Sequence, residues 1–227
     1  MLSGFLPAGR HLLVRSHRYP DLVAPCLGLH PLQAAGGQHS VRPQVTTFTS
    51  ALLTLKIRGA YRCRDASIGL DFTPWCAPTQ QDRDDQMKVF IGQLDIAMEM
   101  DLPVNVHSRS AAKVTIDTMR RRGEALLHNF SGKPAAALEA VEAGFFFSFP
   151  PAVCRNQDRL IQRIPLDHIC LETDSPALGL HKNVSRNEPA NIALSCSYIA
   201  KVKGQTPETV RDVTTQNAYR LFSRASR

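Results

Sequence analysis

The chain has 227 residues, enough for one α/β domain of barrel size or two small ones, and its 43% apolar content supports a large core. No apolar run approaches the length needed to span a bilayer, so no membrane partner is expected. The net charge of +7 is local: residues 1–65 carry 8 Lys and Arg against 2 Asp and Glu, while residues 66–227 carry 19 against 18, so the basicity is not a nucleic-acid footprint spread over the fold.

Residues 1–20 lack acids and hold Arg, His, Leu and Ser, the composition of a transit peptide or of a plain extension. Leu12-Leu13-Val14 reads as a short strand. Val23 to Leu29 reads as another, ending at His30-Pro31. Gln33 to Gln44 is rich in Gly, Ser, His and Gln and reads as a loop. A helix is the only element the pattern allows across 45–64. Ile68-Gly69-Leu70 is a strand ending at Asp71. A helix follows from about Gln80 to Met100, with Met87, Phe90, Ile91, Leu94, Ala97 and Met98 on one face. Val104-Asn105-Val106 is a strand ending at His107, and a helix runs from about Ala111 to Gly123. Arg120 to Arg122 suit that helix's C-terminus as a solvated cap.

Ala125-Leu126-Leu127 is a strand ending at His128, followed by a helix starting near Pro134. Phe145 to Phe149 is an aromatic strand, and a short helix covers about 156–163. Ile169-Cys170-Leu171 then drives up to Glu172 and Asp174, which period-two alternation puts on one face. Pro189 begins a helix to Lys203-Gly204, and Thr206-Pro207 starts the last, to about Phe222. Alternating strands and helices imply βαβ units and a parallel sheet. Six cysteines without a C-x-x-C pair exclude a zinc ribbon or disulfide scaffold and suit reduced thiols in a nuclear or cytoplasmic protein rather than a mitochondrial one.

Five strands end in a group able to bind a metal or move a proton: His30, Asp71, His107, His128 and the Glu172/Asp174 pair. In a parallel barrel all these ends meet at one mouth. Imidazole nitrogens with carboxylate oxygens suit Zn²⁺, Mn²⁺ or a similar divalent ion. Phosphate-loop, dinucleotide-binding and serine-hydrolase motifs are absent.

Pro103-Val104-Asn105-Val106-His107-Ser108-Arg109, Leu127-His128-Asn129-Phe130-Ser131-Gly132, Leu171-Glu172-Thr173-Asp174-Ser175-Pro176, Arg186-Asn187-Glu188-Pro189 and Thr215-Gln216-Asn217-Ala218 resemble, in order, the signatures of TatD-type metal-dependent deoxyribonucleases. Gly28-Leu29-His30-Pro31 and Ile68-Gly69-Leu70-Asp71-Phe72 are similar to two earlier motifs of that family. The resemblance covers residues 66–227 well and 19–41 in part, which divides the chain into an atypical basic segment, 1–65, and a barrel domain, 66–227. It implies a TIM-type (β/α)8 barrel of the amidohydrolase-like superfamily, incomplete at its N-terminus, that hydrolyses phosphodiesters in DNA with one or two ions of Zn, Mn or Mg. Carried over, His107, His128 and Asp174 would hold metal, and Asp174 would also act on the attacking water. His30 and Arg109 would meet substrate phosphate. Glu172 would orient a neighbour, or form a structural salt bridge, and Asn187 and Glu188 would order a loop beside the site.

Two features depart from the family's pattern. The first strand's His-x-His is missing, and Ser67 stands where the family has a glutamate that bridges two metals. Asp71, four residues further on, lies about 13 Å along the strand from that position and does not substitute for it. The departures imply an impaired, one-metal centre. A non-catalytic scaffold on a decayed barrel, and an amidohydrolase acting on carbon–nitrogen bonds, stand as alternatives.

Overall fold

In the computed structural model, residues 28–35, 38–41, 66–154, 156–178 and 186–223 are described. A hairpin of β1 (Leu32–Ala35) and β2 (Gln38–Ser40) precedes five strands: β3 (Ala66–Asp71), β4 (Val104–Arg109), β5 (Ala125–Leu127), β6 (Phe146–Phe149) and β7 (Ile169–Leu171). The five pair in chain order, all parallel. Among the described residues the sheet is not closed, so β3 and β7 are its edges. This is the α/β, incomplete-barrel architecture that the alternation of strands and helices implies. The helices are α1 (Gln80–Glu99), α2 (Ala112–Met119), α3 (Pro134–Glu142), α4 (Pro151–Cys154), α5 (Asp158–Arg163), α6 (Ile192–Lys203) and α7 (Pro207–Leu221).

Side chains alternate across the sheet. Ile68, Leu70, Val104, Val106, Leu127, Phe147, Phe149 and Ile169 join the large core under the helices. The intervening residues Ser67, Asn105, Leu126, Phe146, Ser148 and Cys170 share the other, inner face, because the parallel register aligns them strand by strand. Leu221 and Phe222, at the end of α7, pack under that face against Leu126, Phe146 and Cys170. The inner face therefore has an apolar floor and a polar mouth.

Four expectations are corrected. Residues 28–30 carry no strand, and a hairpin stands where a loop was expected; the expected elements at 12–14 and 45–64, and most of Val23–Leu29, lie outside the described residues. The stripe of α1 is also rotated. It buries Gln86, Val89, Phe90, Gln93, Leu94 and Ala97, and leaves Met98 exposed. The cause is two buried glutamines that terminate chain ends: Gln86 accepts from Asp71 N–H at 2.8 Å and donates to Asp71 C=O and Ser40 Oγ, while Gln93 bonds both backbone groups of Leu29. Burying an amide with its partners satisfied costs little, and a hydrophobicity pattern does not register it. Finally, Arg120 and Arg122 are more than solvated caps, since they pair with Glu139 and Asp95 on neighbouring helices.

The caps follow the sequence closely. Thr79 forms a capping box with Asp82, Thr206 accepts from Thr209 N–H, and Gly204 closes α6 in the left-handed region. Asn217, buried on α7, donates to the carbonyls of Leu166 and Ile169 at 2.9 and 2.7 Å and so fastens the last helix to the start of β7. Asn217→Ala leaves both carbonyls without that donor. It is expected to cost about 1–3 kcal/mol, read as a lower urea midpoint at unchanged slope.

Candidate metal centre

The mouth of the inner face gathers residues from separate strand ends. His107 extends from β4 on the face opposite to Val106, and His128 follows β5 directly. The rings of His30 and His107 are 4.6 Å apart, and those of His107 and His128 are 5.4 Å apart. Nitrogens of His30, His107 and His128 lie within 4.8 Å of one another, and so do donor atoms of His128, Glu172 and Asp174. His128 is thus shared by two groups of three donors. Gly69 makes this approach possible: its backbone, at φ 140°, sits so close to β4 that a Cβ would lie 2.1 Å from His107 O.

Each donor is held by a specific partner. His107 Nε2 meets Asp71 Oδ2 at 3.1 Å. Asp71 in turn accepts from Thr73 N–H and Thr73 Oγ–H. Asp71 thus remains within reach of the site, through its bond to His107, despite lying further along the strand. Sequence reasoning placed Asp71 at the same mouth as His107 but did not pair the two. His30 Nδ1 accepts from Leu32 N–H at 3.2 Å, which leaves the ring's own proton on Nε2.

Glu172 is buried among donors. Its Oε1 accepts from Asn129 N–H at 2.6 Å and Ser148 Oγ at 2.8 Å, and its Oε2 lies 3.7 Å from His128 Nδ1. The single serine in the aromatic run Phe145–Phe149 was the available sequence signal for that contact. β7 ends at Leu171, and Asp174 reaches the site from a turn beyond it, at φ 59°. The two carboxylates therefore meet in one cavity without sharing a strand. Asn187 is buried, donates to Thr173 C=O and accepts from Glu188 N–H and Asn191 Nδ2, so it shapes the 173–176 turn. The side chains of Glu188 and Arg109 are exposed and are not drawn into the cluster.

Burial and charge set the protonation pattern. Burial, then repulsion from His107 and His128, lowers His30 to about 3. Burial also lowers His107, and the Asp71 hydrogen bond offsets this only in part. Both rings are therefore neutral. For His128 burial again acts downward, but the adjacent Glu172 carboxylate and the charge of Asp174 outweigh it and raise the pKa. Burial acts upward on Glu172, and its His128, Asn129 and Ser148 contacts hold it low. Asp174 lacks such donors; burial, reinforced by the Glu172 charge, raises it to about 6 although His128 pulls the other way. The imidazoles of His107 and His128 with an undercompensated buried carboxylate form a donor set that fits a divalent cation such as Zn²⁺ or Mn²⁺.

The model of the TatD related DNase family matches residues 6–223. The chain is 59% identical over 215 residues to tatdn3 of Danio rerio, covering 92% of this chain and 79% of the relative. It is 46% identical over 214 residues to a protein of Homo sapiens named Deoxyribonuclease TATDN3, covering 91% and 77%. In fold it resembles the crystal structure of YJJV, a TatD homologue from Escherichia coli, with a TM-score of 0.82 at 21% identity, over 98% of this chain and 85% of that one.

The raised pKa of Asp174 carries a sign that can be checked. A carboxyl raised from 3.8 to about 6 disfavours folding at every pH above both values, and the penalty fades as pH falls from about 6 to about 4. Asp174→Asn is therefore expected to stabilise the metal-free protein at pH 7 by about 1–2 kcal/mol, after allowance for partial exposure. The gain should shrink toward zero near pH 4, as measured by urea unfolding in a chelator.

Proposed function

The chain belongs to the TatD related DNase family, and from that premise we propose that it is a metal-dependent deoxyribonuclease hydrolysing phosphodiester bonds in DNA. The observation that carries the reading is the pair of donor triads sharing His128 at the mouth of a parallel sheet. Likeness of fold alone would not choose the chemistry. The donor set and the deoxyribonuclease name of the human relative support it together.

His107, His128 and Asp174 would hold the cation. When bound, a divalent cation supplies positive charge to a phosphoryl oxygen and lowers the pKa of water in the site. Asp71 fixes the His107 ring and Glu172 fixes the His128 ring, so both nitrogens are presented without further ordering. Asp174 accepts the proton of the attacking water on a carboxylate oxygen. His30, with its proton on Nε2, donates a hydrogen bond to a non-bridging phosphate oxygen. Arg109, exposed at the end of β4, meets a phosphate of the strand as it enters.

Ser67 supplies no charge where a bridging glutamate would. One cation rather than two suits this centre, and a non-catalytic scaffold is the reading that Ser67 favours if no turnover exists. Metal-dependent hydrolysis of a labelled oligonucleotide is expected for the wild type. A loss of at least about 100-fold is expected for Asp174→Asn, with loss of bound metal in the His107→Ala/His128→Ala double variant. Hydrolysis that survives Asp174→Asn unchanged would refute the assignment.

A further inference from the structure

We propose that Asn105 is an oxygen donor to the cation of this site, reaching it from the floor of the inner face in place of the carboxylate that Ser67 does not provide. The inference rests on the metal-dependent reading above and names a residue that reading leaves without a role.

Asn105 is 6% exposed and lies on the inner face of β4, two residues below His107. Its Oδ1 is buried and, among the described residues, accepts no hydrogen bond. A buried polar atom left in this way destabilises the metal-free fold. An apolar residue would sit more comfortably on this floor, since Leu126 and Leu171 line the same cavity.

That cavity measures about 40 Å³ and is lined by Asn105, Leu126, His128, Leu171, Glu172, Thr173 and Asp174. It has room for an ion or a water and none for a nucleotide. Its polar groups converge from two sides: His128, Glu172 and Asp174 from the β5 and β7 ends, and the Asn105 amide from β4. An amide oxygen is a hard, neutral donor of the kind that completes Mg²⁺, Mn²⁺ or Zn²⁺ shells built from carboxylate and imidazole. The register adds a second line of argument. Asn105 is the direct partner of Ser67 across β3 and β4, on the same face. The resemblance puts a bridging glutamate at position 67, so the amide oxygen enters the space that glutamate would serve. A neutral donor there reduces the negative charge of the set, which suits a single cation.

Affinity for Mn²⁺ and Zn²⁺ is measured by titration calorimetry on the chelator-stripped full chain, together with melting curves with and without metal. The expected result is that Asn105→Leu weakens binding about tenfold or more, while its metal-free form melts at or above the wild-type temperature. Asn105→Asp, which puts a carboxylate oxygen in the same place, is expected to bind more tightly than the wild type. Unchanged affinity in Asn105→Leu would overturn the proposal, as would a lower metal-free melting temperature with no change in affinity. If the leucine variant does not fold, the aspartate variant decides alone, since affinity no higher than the wild type's would overturn it. A wild type that takes up no cation overturns the metal-dependent reading first and this inference with it.

Discussion

A buried carboxylate has to be satisfied, and Glu172 is satisfied by groups from two other chain segments. Asn129 N–H, Ser148 Oγ and the His128 ring all turn toward it. These partners sit just beyond β5, within β6 and just beyond β5 again, while Glu172 itself follows β7. One acid therefore fixes how the ends of three adjacent strands stand relative to one another. Without those donors the charge would not remain in so dry a place. Much else at the mouth depends on this arrangement. It explains the hydroxyl inside an otherwise aromatic strand and the left-handed backbone of Asn129, and it orients the imidazole common to both donor triads. Ser195 of α6 continues the construction by bonding the carbonyls of Phe149 and Glu172 from the helix side.

The groups around this anchor are each unfavourable without a cation, and they gather at one mouth of the sheet. Asp174 is a carboxyl in a poorly solvated place, carried by a left-handed residue whose backbone costs roughly 1 kcal/mol. His30 is kept neutral well below its ordinary range, and the Asn105 oxygen has no donor. Such clustering is the pattern expected of a site prepared for a positive charge, where stability is given up for readiness. The rest of the fold carries the difference. Ile68, Leu70, Phe90, Leu127, Phe147 and Phe149 are fully buried under the helices, and the buried thiols are held far from reactivity, with that of Cys170 raised to about 12 by burial.

Most of the sheet was legible because most strands are short apolar runs closed by a polar residue, and prolines at 134, 189 and 207 mark where several of the helices begin. That polar groups from several strand ends would meet at one mouth was legible for the same reason: parallel strands bring their ends together whatever their spacing in sequence. The side-chain partners were not legible. The bond of Asp71 to His107 depends on the stagger between two strands, which periodicity does not encode. Gln86 and Gln93 read as solvent-facing in a helix whose stripe they in fact complete. The hairpin at 32–40 was hidden by its glycines and polar residues, which read as a loop because its stability comes from contacts distant in sequence, among them the Gln86 bond to Ser40. Neighbouring strands, more than local preference, also decide the environment of Asn105, which looks like an ordinary strand residue in one dimension.

The end of α7 has a consequence for the order in which the molecule can come into being. Leu221 and Phe222 close the underside of Leu126, Phe146 and Cys170, yet they leave the ribosome after every strand they cover. Until then a nascent chain presents an apolar floor to solvent beneath a mouth that already carries its imidazoles and acids. Chaperone engagement should be concentrated in that interval, and a firmly held cation should be a property of the finished chain and not of its growing precursor.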